Sequence, residues 1–411
     1  MRLIARDMSP EARRAMVVVY ALVFYTGALE LAIVPLLPLY SREFDLSTIQ
    51  AGVLLASVNV PVMVLSIPLG RLSDRIGARR MTVAAAAIYA LAAVGQGLSS
   101  DYVLLVISWA TFGVGVAIVA SGSLAWLSDS LPAHKRAGAL GGVATISGVG
   151  IIVGPLFGGV VIESLGRETA FLLAAAVVSF LAVFAHRSTS EATDRPPVIS
   201  LSATLLAVRT EPLVGGGLAL VGLLGLVFGV VSVLVPLRLA DNGLSEGDVG
   251  LLFSATAAIF IAVSWIVARG GARHVTLQVA AALAFAQAVA LLLPIASVST
   301  LALVAFLVLR APIWGASSTI AYPLTSEGAH RAGLGRGAIF GLLNLCWGVA
   351  AVVGPLCGSV IAHALGEPWA YGGLALVCVG AGILLAWLSR REASLARMDR
   401  LVAEAVPDHS G

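Results

Sequence analysis

The 411-residue sequence predicts an all-α integral membrane protein, with twelve transmembrane helices in two pseudo-symmetric six-helix bundles. Three observations carry this reading. Charged residues make up 11% of the chain and hydrophobic residues 59%, whereas a soluble domain carries about 25% charge. The apolar residues fall into long continuous runs, and one segment of the first half returns in the second. So few charges cannot cover a soluble surface, which excludes a soluble enzyme, a nucleic-acid binder and a disordered scaffold. The net charge of +3 offers no basic face for a nucleic acid.

A bilayer core about 30 Å thick needs roughly 20 apolar residues per helix. Along the chain that ruler marks 15–40, entered from Arg13 and Arg14, then 49–70, 81–98, 102–128, 138–163 and 168–186. A polar stretch with a Pro pair, 187–211, follows and reads as a linker. Beyond it come 212–238, 247–268, 275–297, 300–325, 337–364 and 368–389. The expected division is therefore an N-terminal bundle over 1–186, a linker over 187–211 and a C-terminal bundle over 212–411. The first run is too long for a cleavable signal peptide and lacks a small-residue cleavage site. Continuous runs rather than alternating ten-residue segments exclude a β-barrel.

Basic residues orient the spans, because Lys and Arg concentrate in cytoplasmic loops. Of 25, 21 fall on the face that carries both chain ends. Arg42, Arg167 and Arg238 fall on the other face, and Arg310 falls inside a span. Both ends are expected in the cytoplasm, with the chain in a bacterial inner membrane. Cys346, Cys357 and Cys378 lie in apolar segments and imply no disulfide framework. The scattered histidines have no metal-ligand spacing, and no His, Asp, Glu and Ser set forms a catalytic cluster.

The internal repeat is specific. Residues 136–162 align with 336–362 without gaps, and ten of 27 positions are identical, among them Gly148/Gly348, Gly154/Gly354, Pro155/Pro355 and Gly158/Gly358. A weaker echo joins Leu46-Ser47 and Gly52 to Leu244-Ser245 and Gly250. Two parallel six-helix halves mark one large transporter architecture.

Between the second and third spans stands Gly70-Arg-Leu-Ser-Asp74-Arg75-Ile-Gly77-Ala-Arg79-Arg80. It resembles the signature loop of the major facilitator superfamily, and the resemblance extends over all twelve spans. It implies the major facilitator fold and a switch in which this loop locks the cytoplasmic side of the two bundles. Asp74 is then expected to meet the start of span 11, with Arg75 and Arg136 in the same charge network. The second copy, Arg269-Gly-Gly-Ala-Arg273, has lost the aspartate. Asp129 with Arg136 after span 4, and Glu327 with Arg336 after span 10, are expected in the same latch.

Span 5 carries Gly148, Gly150, Gly154, Pro155, Gly158 and Gly159, and looks like the antiporter signature of the superfamily. Proline removes a helical hydrogen bond and glycines allow close helix approach, so a hinge is expected at Gly150, Gly154, Pro155 and Gly158. The copy at Gly354 and Pro355 leaves a simple packing role open. The end of span 1, Glu30-Leu-Ala-Ile-Val-Pro35-Leu-Leu-Pro38, resembles the same span of drug:proton antiporters. Two departures stand against copying their coupling scheme. Thr26 and Trp109 occupy places where relatives carry an aspartate and an arginine.

Glu30 and Arg310 remain as the charges in the membrane interior. An ionisable group there costs about 2.5–3.5 kcal/mol on insertion scales and marks a substrate or proton path by default. In the superfamily, spans 1 and 10 line the central cavity, so Glu30 is the expected proton site and Arg310 its partner or a substrate anchor. Tyr25, Thr26, Asn59, Trp109, Trp314 and Asn344, with Thr111, Trp265 and Trp347, are the expected cavity lining. The expectation is a monomeric transporter that exchanges protons for a small amphipathic molecule across the lipid bilayer. It needs no cofactor, and the proton gradient drives it. Import of a small organic solute or anion is the alternative.

Overall fold

The computed structural model describes residues 9–186, 210–271, 275–333 and 336–405, and the described chain is helical throughout. The first half comprises α1 (Pro10–Glu43), α2 (Thr48–Ile76) and α3 (Ala78–Leu98). It continues with α4 (Tyr102–Asp129), α5 (His134–Leu165) and α6 (Arg167–His186). The second half comprises α7 (Pro212–Asp241), α8 (Glu246–Arg269), α9 (Leu277–Ala296), α10 (Thr300–Arg331), α11 (Arg336–Leu365) and α12 (Glu367–Ala405). All twelve are long and apolar enough to cross a bilayer. Residues 187–209 of the expected linker lie outside the described residues.

Helix starts are written in the local sequence. Ser9, Asp101, Thr276 and Ser299 each accept a backbone N–H of the first turn they precede, which satisfies one of the orphan donors at a helix N-terminus. Ser47 with Gln50, and Ser245 with Asp248, form full capping boxes at the starts of α2 and α8. The repeat thus extends to equivalent helix starts. It extends further to the tight reversals at Gly166 between α5 and α6 and Gly366 between α11 and α12, with φ of 80° and 98°. A single-residue reversal in that region favours glycine, which has no Cβ to clash.

Two ion pairs close the bundles in matching places with the charges exchanged. Arg167 at the start of α6 bonds Glu43 at the end of α1 at 2.7 Å, whereas Glu367 at the start of α12 takes two bonds from Arg238 of α7 at 2.5 and 2.8 Å. Arg167 also donates to the carbonyls of Gln96 and Ser99 at 2.7 and 2.8 Å, capping the end of α3.

Within each half the central helix is held by its repeat motif. A Cβ on Gly150 would stand 2.6 Å from the Phe24 carbonyl oxygen, and one on Gly158 would stand 2.9 Å from Ala32 Cα, both on α1. In the second half, a Cβ on Gly354 would stand 2.7 Å from the Leu226 carbonyl oxygen of α7. Glycine at these places lets two backbones touch. The motif residues of α5 and α11 therefore seat α1 and α7, the two helices most enclosed in the protein. The α-helical winding of α5 ends just after Pro155 and gives way to a wide π turn over Phe157–Val161, beside the hydrogen bond that the proline cannot make.

Candidate functional site

The two bundles meet over one half of their depth and part over the other. At the face opposite the described chain ends, the far face, α2 approaches α11 and α5 approaches α8. A Cβ on Gly52 would stand 2.7 Å from the Pro355 carbonyl oxygen, and one on Gly159 would stand 2.8 Å from Gly250 Cα. Ser254 of α8 donates to the Ile152 carbonyl of α5 at 2.8 Å. Nearer the far surface, Glu163 of α5 accepts from the backbone N–H of Gly247 at 2.7 Å and from Ser245 Oγ at 3.3 Å. A carboxylate of one bundle thus caps a helix of the other, where the helix dipole favours negative charge. Arg42 and Glu246 form an ion pair across the same seam. Beside it opens a cavity of about 540 Å³ lined in part by Glu43, Glu163, Arg167, Glu168 and Glu246.

Contact persists to mid-depth, where a Cβ on Gly348 would reach Met63 at 3.5 Å and one on Gly148 would reach Ile261 at 3.1 Å. Toward the face of the chain ends it stops. No described heavy atom comes within 4 Å of a Cβ built on Gly141 of α5 or Gly341 of α11, and Gly70 meets only Ser121 of its own bundle. Among the described residues, the bundles touch at the far face and part at the terminal face.

The signature loop lies on the parted face. Gly77 is the single residue between α2 and α3 and takes φ 96°, so the motif's glycine is explained by a backbone conformation that L side chains rarely adopt. Arg75 and Arg80 are exposed. Arg79 donates to the His186 carbonyl at 3.0 Å, tying α3 to α6. Arg136 donates to the Leu131 carbonyl at 3.0 Å, beside the Asp129 end of α4. The Asp74 and Arg336 side chains lie outside the described set, and so does the expected network through them. Glu327 was expected in a latch between the bundles. On this parted face it bonds Arg331 at 3.2 Å, and Arg331 reaches Glu392 of α12 at the same distance, a cluster within the C-terminal bundle.

The expected cavity residues divide. Glu30 sits mid-way along α1, half-buried, one helical turn beyond Thr26. Thr26 donates to the Leu22 carbonyl at 2.8 Å and meets the Tyr89 hydroxyl at 2.5 Å. Tyr89 also packs at 5.1 Å from the Tyr25 ring and 5.0 Å from Phe112. Tyr25 is 8% exposed, and its hydroxyl has no partner. Asn59 is 5% exposed and shares the α2 face that carries Gly52 and Met63, the face toward α11. Asn344, one turn from Gly348 on the same face of α11, is exposed where the bundles part.

Two residues correct the expectation. Trp109 is fully enclosed, edge-on to Phe112 and Phe171 in the core of its own bundle, so it lines no cavity here. Trp265 is 56% exposed with the Arg269 guanidinium 3.3 Å over its ring, as suits an aromatic anchor at a membrane surface. Both are misplaced for one reason: an aromatic type shows amphipathic bulk but not which helix face it occupies. Thr111 bonds its own helix, at the Ile107 carbonyl.

Arg310 makes no ion pair with Glu30. It is 6% exposed inside the C-terminal bundle, with its guanidinium 4.6 Å over Trp314. Trp314 in turn lies 4.9 Å from Phe260 and 5.9 Å from Phe228, which stands 5.8 Å from Trp347. Sequence reasoning missed Tyr89, Phe228, Phe260 and the Glu163 cap. Only the last left a signal, a carboxylate in the final turn of span 5 opposite a capping box.

Comparison with known proteins agrees with this geometry. The chain is 28% identical over 151 residues to multidrug resistance protein 2 of Bacillus subtilis, covering 37% of this chain and 38% of that protein. It is 35% identical over 104 residues to an uncharacterized MFS-type transporter of Mycobacterium tuberculosis, covering 25% of this chain and 18% of that protein. The quinolone resistance protein NorA of Staphylococcus aureus is 24% identical over 131 residues, 32% and 34% of the two chains. The matched stretches span less than half of each relative's own length. Among solved structures, a bacterial homolog of the human lysosomal transporter Spinster, in an inward-facing and occupied conformation, superposes with TM-score 0.70 at 16% identity, covering 95% of this chain and 98% of that one. The Major Facilitator Superfamily profile matches residues 16–339, from α1 to the start of α11, and the structure has twelve spanning helices in two bundles: the chain belongs to the major facilitator superfamily.

Proposed function

We propose that this transporter works by alternating access and expels a small amphipathic drug-like molecule or metabolite in exchange for protons. It acts as a monomer in a bacterial inner membrane with both chain ends in the cytoplasm. The observation that carries the reading is the one-sided closure. Cross-bundle contacts seal the far face, and the bundles stand apart at the face rich in arginine, which the basic-residue count assigns to the cytoplasm. A cargo would enter between the parted halves of α2, α5, α8 and α11. Rocking about mid-depth contacts such as Met63–Gly348 would then open the far side. The likeness to multidrug resistance proteins supports the class of cargo.

Glu30 is the proton site in this reading. It retains accessible surface half-way along α1, and among the described residues no hydrogen bond or ion pair commits its carboxylate. An uncommitted carboxylate can load and release a proton as water access alternates. The seam of Gly150 and Gly158 fixes the helix that bears it. In liposomes under an imposed pH gradient, the purified protein is expected to move protons when a lipophilic substrate is supplied, and Glu30→Gln is expected to abolish that movement while binding persists. A Glu30→Gln protein that still couples cargo to the gradient removes Glu30 from the proton role. Import of a small organic solute is the second reading, favoured by the buried cation Arg310. Uptake without proton movement in the same liposomes supports it.

A further inference from the structure

Among the described residues, the C-terminal bundle holds a cation without a counter-ion. Arg310 is 6% exposed, and its Nε and Nη2 are both enclosed without an acceptor. No carboxylate among the described residues pairs with it. Its guanidinium lies over the face of Trp314. Other partly buried arginines of the molecule are served differently. Arg167 has three acceptors and Arg238 a carboxylate that takes two of its bonds. Burying a guanidinium with its N–H groups unpaired is costly, and a cation–π contact offsets only part of that cost. Beside the unused fork lies a wall of rings: Trp314 against Phe228 and Phe260, with Trp347 behind Phe228. These rings come from α7, α8, α10 and α11, so packing holds the wall from four helices.

A planar fork of N–H groups matches a planar oxyanion, which accepts two parallel bonds. Stacked rings match a flat aromatic body. We propose that Arg310 and Trp314 form a subsite for the carboxylate of a flat aromatic cargo. This rests on the transport reading and narrows its substrate class to aromatic anions and zwitterions, in whichever direction they move. The site would supply the guanidinium with the counter-ion that the protein withholds. Enclosure of the fork inside the bundle argues for a cargo carboxylate over a lipid phosphate.

The test is binding in the absence of any gradient. The full chain in phosphatidylcholine nanodiscs is titrated with naphthoate, its neutral isostere naphthamide and cationic naphthylmethylammonium, read by quenching of tryptophan fluorescence. Wild type is expected to bind naphthoate about tenfold more tightly than naphthamide and naphthylmethylammonium most weakly. Arg310→Gln is expected to bring naphthoate and naphthamide within about twofold. Arg310→Lys keeps the charge without the fork and falls between. Trp314→Phe is expected to weaken both ligands together. Equal affinity of wild type for the acid and the amide overturns the proposal, and that comparison needs no variant to fold. An Arg310→Gln protein that keeps the preference overturns it as well. Loss of the preference when phosphatidylglycerol is added assigns the site to a lipid headgroup and overturns the cargo assignment. Naphthoate preference without proton movement in liposomes sinks the coupling reading alone. Coupled transport of a cargo indifferent to Arg310 sinks the subsite alone.

Discussion

Glu163→Gln isolates the charge that closes the far face. The side chain accepts from Gly247 N–H at 2.7 Å and from Ser245 Oγ at 3.3 Å, across the bundle interface and at the first turn of α8. Hydrogen bonds to a charged group are worth about 1.5–3 kcal/mol, and a carboxylate at a helix N-terminus adds about 0.3–1 kcal/mol. Glu163 is exposed, so water competes for both contributions and the net closing effect is set at about 1 kcal/mol. Glutamine keeps the size and an acceptor oxygen but not the charge. Most of that stabilisation is expected to go, shifting the closed-to-open ratio about fivefold. Hydrogen exchange of the α8 N-terminal peptide in nanodiscs reads this directly, because Gly247 N–H is protected only while the faces touch. The expected result is exchange about fivefold faster there, with no change in α9. The control is Glu168→Gln, which borders the same cavity without a cross-bundle bond. Unchanged exchange at α8 in Glu163→Gln, or an equal effect from Glu168→Gln, refutes the reasoning.

Gly250→Val should oppose the closed far face by overpacking against Gly159 Cα, 2.9 Å from a Cβ there. Such insertions cost about 1–3 kcal/mol, so thiol labelling of a cysteine placed at the far seam should rise, whereas Gly141→Val, which has open space, should leave it unchanged. Arg167→Ala removes three bonds and strands the carbonyls of Gln96 and Ser99. Thermal unfolding in detergent should report a loss of about 2–3 kcal/mol, with Glu43→Gln losing about half of that or less. Tyr89→Phe removes a single bond, because Thr26 keeps its donation to Leu22. A loss of about 1 kcal/mol is expected in the same assay, and a loss several times larger would show that the hydroxyl serves more than Thr26.

Much of the architecture was legible before any coordinates. Span positions followed from run length, since a bilayer leaves a backbone little choice but helix. The α2 and α8 starts were marked by Ser47 and Ser245, and the repeat at 136–162 and 336–362 pointed to equivalent places in α5 and α11. The meaning of the repeat was less legible. Gly150, Gly154 and Gly158 read as a hinge, with a packing seam left open. Only the approach of α1 to within contact of their missing Cβ positions gives them the seam. Trp109 and Trp265 show the same limit from the other side, because one residue type serves a sealed core and an exposed anchor.

By itself the sequence determined that the chain crosses a membrane twelve times, where its basic residues gather, and that Glu30 and Arg310 are the charges left inside. Those properties follow from composition, local periodicity and the cost of charge in hydrocarbon, all of which act residue by residue. Tertiary structure alone decided which charges meet. It paired Glu163 with a helix start 84 residues away, turned Glu327 toward its own bundle, and separated Glu30 from Arg310. Those outcomes depend on the approach of backbones distant in sequence, where a shift of a few ångströms makes or breaks a hydrogen bond.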